Sequence, residues 1–136
     1  LIVCWDLVFP EVLRAMVKKG VQIVYCPSFW MINDASIGRK YNDNAEKEFI
    51  NSIAISRAFE NEIVLVWCNA AGSYKVNGVN FVLAGQSQIT IPFVGALKKL
   101  NHNREEMFIQ EINTDILKDA EKVYGIKDDL KSRFMY

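Results

Sequence analysis

Among the side chains able to bond covalently to a substrate, Cys4 has the most informative surroundings. It stands in Val3-Cys4-Trp5-Asp6-Leu7-Val8-Phe9-Pro10-Glu11, at the end of a short apolar run and shortly before a proline that opens a helix. A cysteine attacks as its thiolate, and backbone N–H groups around a strand-to-helix turn favour thiolate over thiol. The same N–H groups can hold the negative oxygen that forms when a thiolate adds to a carbonyl carbon. The corner therefore suits acyl transfer through a covalent intermediate. A second reading stands beside this one, because free cysteine is among the most buried residue types and often only fills space. Cys26 and Cys68 fall in continuous apolar runs and take that second reading.

Several other chemistries are excluded by what the chain contains. Its three cysteines show no C-x-x-C spacing, and His102 is its one histidine, so neither a disulfide framework nor a metal site is expected. His102 lies between Asn101 and Asn103 in a polar turn and reads as a solvated loop residue, not a base. No Gly-rich loop follows an early strand, which removes support for a dinucleotide site. Sixteen basic and sixteen acidic residues cancel, so no overall field draws in nucleic acid or an anionic membrane. No apolar run approaches the roughly 18–20 residues of a membrane helix. An odd, unpatterned set of cysteines fits a reducing cytoplasm. No cofactor is called for.

The elements that must position Cys4 follow from pattern. With 136 residues, 51% hydrophobic and 24% charged, the chain is one domain's worth of an ordinary globular protein. Residues 1–5 read as a strand and Pro10 to Lys19 as a helix, with Val12, Leu13, Met16 and Val17 on its buried face and Gly20 as its cap. Val21 to Cys26 and Ile63 to Trp67 are unbroken apolar runs, the mark of strands covered on both faces. Between them, 28–44 reads as loop and Ala45 to Asn61 as a second helix. Gly72 to Gly78 is a turn-rich link. Asn80–Ala84, Ser87–Ile91, Ala96–Leu100 and Met107–Ile112 read as strands. Thr114 to Tyr124 is a helix with Thr114 as its cap, and a charged tail follows. Lys98 and Lys99 sit on an expected edge strand, where charge discourages aggregation. Strand–helix–strand–helix–strand implies a layered α/β arrangement, and helices on one face of a sheet leave the other face needing cover. A second sheet is the simplest cover.

The Cys4 stretch resembles the nucleophile motif of the nitrilase, or carbon–nitrogen hydrolase, superfamily. Pro27-Ser28-Phe29-Trp30, Ser56-Arg57-Ala58-Phe59-Glu60-Asn61 with Asn69 and Gly72 beyond it, Gly85-Gln86-Ser87, Pro92-Phe93-Val94-Gly95 and Glu111-Ile112-Asn113 resemble later pieces of the family in the same order. The resemblance implies an α/β fold that is half of an α-β-β-α four-layer sandwich, with residues 1–136 as the C-terminal half of one domain. It implies a Glu–Lys–Cys triad in which Cys4 is the nucleophile and the Trp5 N–H helps hold the oxyanion. It implies cleavage of non-peptide C–N bonds in a small linear amide, nitrile or N-carbamoyl compound, through a thioester and with loss of ammonia. The Cys-Trp-Asp form resembles the amidase-like branches. Family members commonly dimerise through helices, which marks the second helix and the tail as candidate contacts.

This sequence departs from the family in one respect. The triad glutamate and lysine belong to the family's N-terminal half, and no Glu or Lys here matches them. Glu11 and Glu60 match family positions, but Glu11 suits the start of a helix and Glu60 suits an ion pair with a nearby arginine such as Arg57. The fragment alone is expected to be inactive and to need its missing half, or a partner, to cover apolar sheet face. Leu1 opens inside an apolar run, so an upstream portion is expected. The competing reading is a truncated member that only binds or assembles. Phe29 and Trp30, at a strand end beside Cys4, either line a substrate pocket or are core aromatics. Asn69 and Ala70 end another strand on the same edge. Asp6 orients the turn by accepting backbone N–H bonds.

Overall fold

Two parallel strands carry the first half of the structure, a computed structural model that describes residues 1–132. They are β1 (Ile23–Ser28) and β2 (Val64–Asn69), paired in register from Ile23 with Val64 to Ser28 with Asn69. Antiparallel strands β5 (Gln88–Ile91) and β6 (Gly95–Lys99) continue the sheet in the order β1-β2-β5-β6. A separate hairpin, β3 (Ser73–Val76) with β4 (Val79–Val82), rises between β2 and β5.

Helices α1 (Pro10–Val17) and α2 (Ala45–Asn61) pack on one face of the sheet. Leu13 and Val17 of α1 and Ile50, Ile53, Ala54 and Ala58 of α2 recur at helical spacing. They meet Val24 and Cys26 of β1 and Leu65 and Trp67 of β2 in a single core. Thr90 turns to the same side and satisfies its hydroxyl on the Ala54 carbonyl at 3.1 Å. The opposite face is only partly covered. There Val64, Val66, Ile89, Ile91 and Leu97 meet Phe108, Ile112, Ile116 and Leu117, the last two on α3 (Asp115–Tyr124). Among the described residues no element covers the outer side of β1, where Tyr25 is 56% exposed.

The structure corrects several expectations. Residues 1–3 are extended, with the Ile2 N–H on the Tyr25 carbonyl at 3.0 Å, but a 3-10 turn takes over at Cys4 and runs to Val8. The loop expected over 28–44 contains a kinked 3-10 stretch, Ile32–Lys40. Met107–Ile112 pairs with no strand among the described residues. Thr114 makes no side-chain cap; the Asn113 side-chain oxygen instead accepts the Asp115 N–H at 2.9 Å. The expected tail begins with a short helix, α4 (Ile126–Ser132), tied back by the Ile126 N–H to buried Glu62 at 3.0 Å. Its last residues, 133–136, lie outside the described residues.

Gly85, between the hairpin and β5, shows why one backbone position must stay bare. Its φ is +61°, and a Cβ there would meet the His102 carbonyl oxygen at 2.5 Å and the Asn103 Cα at 2.7 Å. Gly85→Ala is expected to destabilise the protein by about 2 kcal/mol or more, from a left-handed conformation and an overfilled contact together. Urea denaturation should show a lower midpoint at unchanged slope.

Candidate active site

The chain reaches Cys4 extended, with Val3 at φ −129° and ψ 124°, and then turns through φ +48° at Cys4 itself. A residue other than glycine held in the left-handed region costs about 1–2 kcal/mol, so the surroundings must impose it. Two sets of bonds do so. The Asp6 carboxylate accepts the Val3 N–H at 3.0 Å while the Asp6 N–H returns to the Val3 carbonyl at 3.0 Å. Asp6 thus has the turn-orienting role read from its position. Arg57 then reaches in from α2. Its Nε donates to the Leu7 carbonyl at 3.0 Å and its Nη2 to the Val8 carbonyl at 2.8 Å. The remaining Nη1 pairs with Glu60 at 2.8 Å, and Arg14 stands 3.8 Å from the same carboxylate. Glu60 is therefore an ion-pair partner, as expected. Glu11 lies in the first turn of α1.

This corner leaves the Cys4 thiol free and half-buried. The N–H of Trp5, the residue after Cys4, finds no acceptor among the described residues. Behind the corner lies Cys26, its Sγ 3.8 Å from the Cys4 carbonyl oxygen and 3.7 Å from the Ser28 hydroxyl. Burial pushes the Cys26 thiol up to about 11, so it stays protonated and inert at neutral pH. The expectation that Cys68 fills space in a buried strand is overturned. It is exposed, because β2 alternates faces and Cys68 points away from the helices while Trp67 points toward them.

Aromatic side chains flank the corner. Trp5 is 54% exposed and rests its ring against Trp30 at 4.9 Å. Of the two readings open for Trp30, its side chain adopts the core one: it is 1% exposed and packs against Trp67 and Phe49. Its indole N–H is satisfied by the Glu46 carboxylate. Phe29, one residue earlier, is 54% exposed. Asn69 acts as a clamp between three segments. Its side-chain oxygen accepts the Trp30 N–H at 2.8 Å, and its amide donates to the carbonyls of Trp30 at 3.2 Å and Gly85 at 3.0 Å. His102 is half-buried, with Nε2 3.0 Å from Glu106. No group of three or more metal-ligating side chains converges among the described residues, and no described helix is long and apolar enough to cross a membrane.

Residues 1–121 match the carbon–nitrogen hydrolase family. The chain belongs to that family. A carbon–nitrogen hydrolase from Helicobacter pylori G27 shares the fold, with a TM-score of 0.78 and 21% identity over 98% of this chain and 45% of that one. In sequence the chain is 29% identical over 133 residues to the N-carbamoylputrescine amidase of Oryza sativa subsp. japonica, covering 93% of this chain and 42% of the relative. It is 25% identical over 131 residues to the 2-oxoglutaramate amidase of Bacillus subtilis (strain 168), covering 96% and 44%. This carbon–nitrogen hydrolase chain thus spans less than half the length of each of these relatives. Its mixed α/β fold is that of nitrilase-superfamily hydrolases, in line with the sandwich implied by the sequence.

Proposed function

We propose that this chain carries the nucleophile of an amidase-type carbon–nitrogen hydrolase, with Cys4 attacking the carbonyl carbon of a small linear amide or N-carbamoyl compound. The observation that carries the reading is the corner at Cys4. A strained φ, imposed by Asp6 and Arg57, presents a free thiol next to an unbonded backbone N–H. In the first step the thiolate forms a C–S bond and the carbonyl electron pair moves onto oxygen, where the Trp5 N–H donates to it. The C–N bond then breaks, nitrogen takes a proton and ammonia leaves a thioester on Cys4. Water adds to that thioester, the C–S bond breaks, and a carboxylic acid and the free thiol result. A reducing cytoplasm suits a nucleophile that must remain a thiol.

The general base and the oxyanion lysine implied by the resemblance belong to the remaining part of the domain, with residues 1–136 forming its C-terminal half. Two observations support that division. The relatives are more than twice as long as the part this chain matches. Along 108–112, burial alternates from residue to residue, and among the described residues no backbone–backbone hydrogen bond forms; the Glu111 carbonyl is met only by the Gln110 side-chain amide at 2.8 Å. Met107 is 84% and Ile109 is 90% exposed. That is the signature of a strand awaiting a neighbour. A strand laid beside it would begin a second layer over the bare outer face of β1.

The reading is tested by incubating a protein that contains this chain and the rest of the domain with acetamide, then quenching in acid. Peptide mass spectrometry is expected to find an acetyl group on the Cys4 peptide. Turnover with the acyl group on another residue, or with no acyl-enzyme under single-turnover conditions, would count against Cys4. Turnover of acetamide by the 136-residue chain alone would overturn the division into halves.

A further inference from the structure

We infer that the cleft between the 3-10 stretch and the hairpin binds a small carboxylate that carries an O–H or N–H donor, with its charge on Lys47 and Arg39 and its donor on the buried amide of Gln86. The cleft has a volume of about 290 Å³. It lies where Ile32–Lys40, the first turn of α2, the end of the β3–β4 hairpin and the turn at 101–103 come together. That volume is at the small end for ligand pockets and suits a compact metabolite. Cys4 does not line it, so the inference stands apart from the nucleophile.

The charge of the cleft is one-sided. Arg39 and Lys47 line it, and among the described residues no Asp or Glu does. Lys47 is half-buried and makes no hydrogen bond or ion pair with any described residue. Arg39 keeps only a loose pair with Asp43, at 3.6 Å and with the Asp43 side chain 81% exposed. Such an exposed pair holds its partners weakly, so the guanidinium is available to a better acceptor. A carboxylate is the acceptor that a planar guanidinium beside an ammonium meets well. Gln86 supplies the other end. It is 8% exposed, and its Oε1 is sealed from solvent with no donor among the described residues. A buried amide oxygen left unpaired is destabilising, and a ligand O–H or N–H satisfies it. Gln86 is also held at φ +61°, with its N–H on the His102 carbonyl at 3.3 Å. Left-handed positions of this kind recur at ligand clamps. Ile32 and Val82 add apolar lining for a short hydrocarbon body. The hairpin wall is fixed in advance, because Asn33 accepts the Val82 N–H at 2.8 Å and donates to the Asn80 carbonyl at 3.3 Å.

The test is a calorimetric titration of α-hydroxyisovalerate into a protein that contains this chain and the rest of its domain. Saturable binding is expected. The methyl ester of the same acid, which lacks the charge, should bind at least about tenfold more weakly, the range of a charge-assisted hydrogen bond. The O-methyl ether, which keeps the charge and lacks the donor, should bind about threefold to tenfold more weakly. Lys47→Gln should weaken the acid at least about tenfold, by the same loss as the ester. Gln86→Met, close in size and without the amide, should erase the difference between acid and ether. Urea denaturation shows whether each variant is folded. If Gln86→Met does not fold, the acid and the ether compared on the unaltered protein decide the donor end. No saturable binding of the acid, or a Kd unchanged by Lys47→Gln, would overturn the site. Equal binding of acid and ether by the unaltered protein would remove Gln86 from it and overturn the inference as stated. None of these outcomes depends on Cys4 being the nucleophile.

Discussion

Cys4→Ala in a protein containing this chain and the rest of its domain is expected to lower kcat/KM for small carboxamides at least about a thousandfold, or more than about 4 kcal/mol of transition-state stabilisation. Without the sulfur there is no atom at the corner to make the new bond to carbon, and removing a nucleophile typically costs as much as removing the whole constellation around it. The fold should survive. Cys4 is only half-buried, and the bonds that set the turn come from Asp6 and Arg57 and not from the thiol. Ammonia release measured alongside a urea denaturation curve separates the two effects. Ammonia release at the unaltered rate by a folded Cys4→Ala protein would end the case for this residue. A loss of both activity and fold would be resolved by Cys4→Ser, which keeps the size of the side chain.

The second large effect is expected at Arg57. Its side chain is 11% exposed and all three of its nitrogens donate, to the carbonyls of Leu7 and Val8 and to Glu60. Arg57→Ala leaves the Leu7 and Val8 carbonyls without their donor and Glu60 with only Arg14, 3.8 Å away, and Leu7 is fully buried. Stranding buried acceptors of a charged donor costs about 1.5–3 kcal/mol per bond, with partial recovery where water can enter. A net loss of about 3 kcal/mol in unfolding free energy is expected for the chain. Arg57→Lys should rescue little of it, because one ammonium on a flexible stem cannot reproduce a planar fork that serves three acceptors. Stability within about 0.5 kcal/mol of the unaltered protein, the range of ordinary surface changes, would show that Arg57 does not hold the corner. A stable Arg57→Ala protein that also kept its Cys4 alkylation rate would leave the turn to Asp6 alone.

Local patterns made much of the scaffold legible. The spacing of Phe49, Ile50, Ile53, Ala54 and Ala58 marks α2 over Ala45–Asn61, the bounds the structure shows. The apolar runs around Val24 and Leu65 mark β1 and β2 within a residue or two, but the cover on both faces that such runs imply does not hold for β1, where Ile23 and Tyr25 are exposed and burial alternates. What failed to show depends on distant partners. Asp6 announces a turn locally, but the φ of +48° at residue 4 also depends on Arg57, more than fifty positions along, which no local pattern reports. Met107–Ile112 has the composition of a strand, but a ladder needs a neighbour, and composition cannot report whether one is present.

The candidate site divides in the same way. The corner at Cys4 could be read because Pro10 and the apolar lead-in announce it. The place of Trp30 in the core could not, since it is set by Asn69, thirty-nine positions away, and by the packing of Trp67 and Phe49. Tyr74 falls in the stretch that reads as turn-rich, Gly72–Gly78, while Phe81 falls in the expected strand Asn80–Ala84. Only the register of the hairpin brings their rings face to face.

The open backbone of 108–112 is also a liability during biosynthesis. A row of amides and carbonyls with no backbone partner among the described residues, flanked by exposed Met107 and Ile109, is open to any strand it meets, including the same row on another molecule. On the proposed division of the domain, the speed with which the other half docks on this row decides how much of the chain escapes such misassembly.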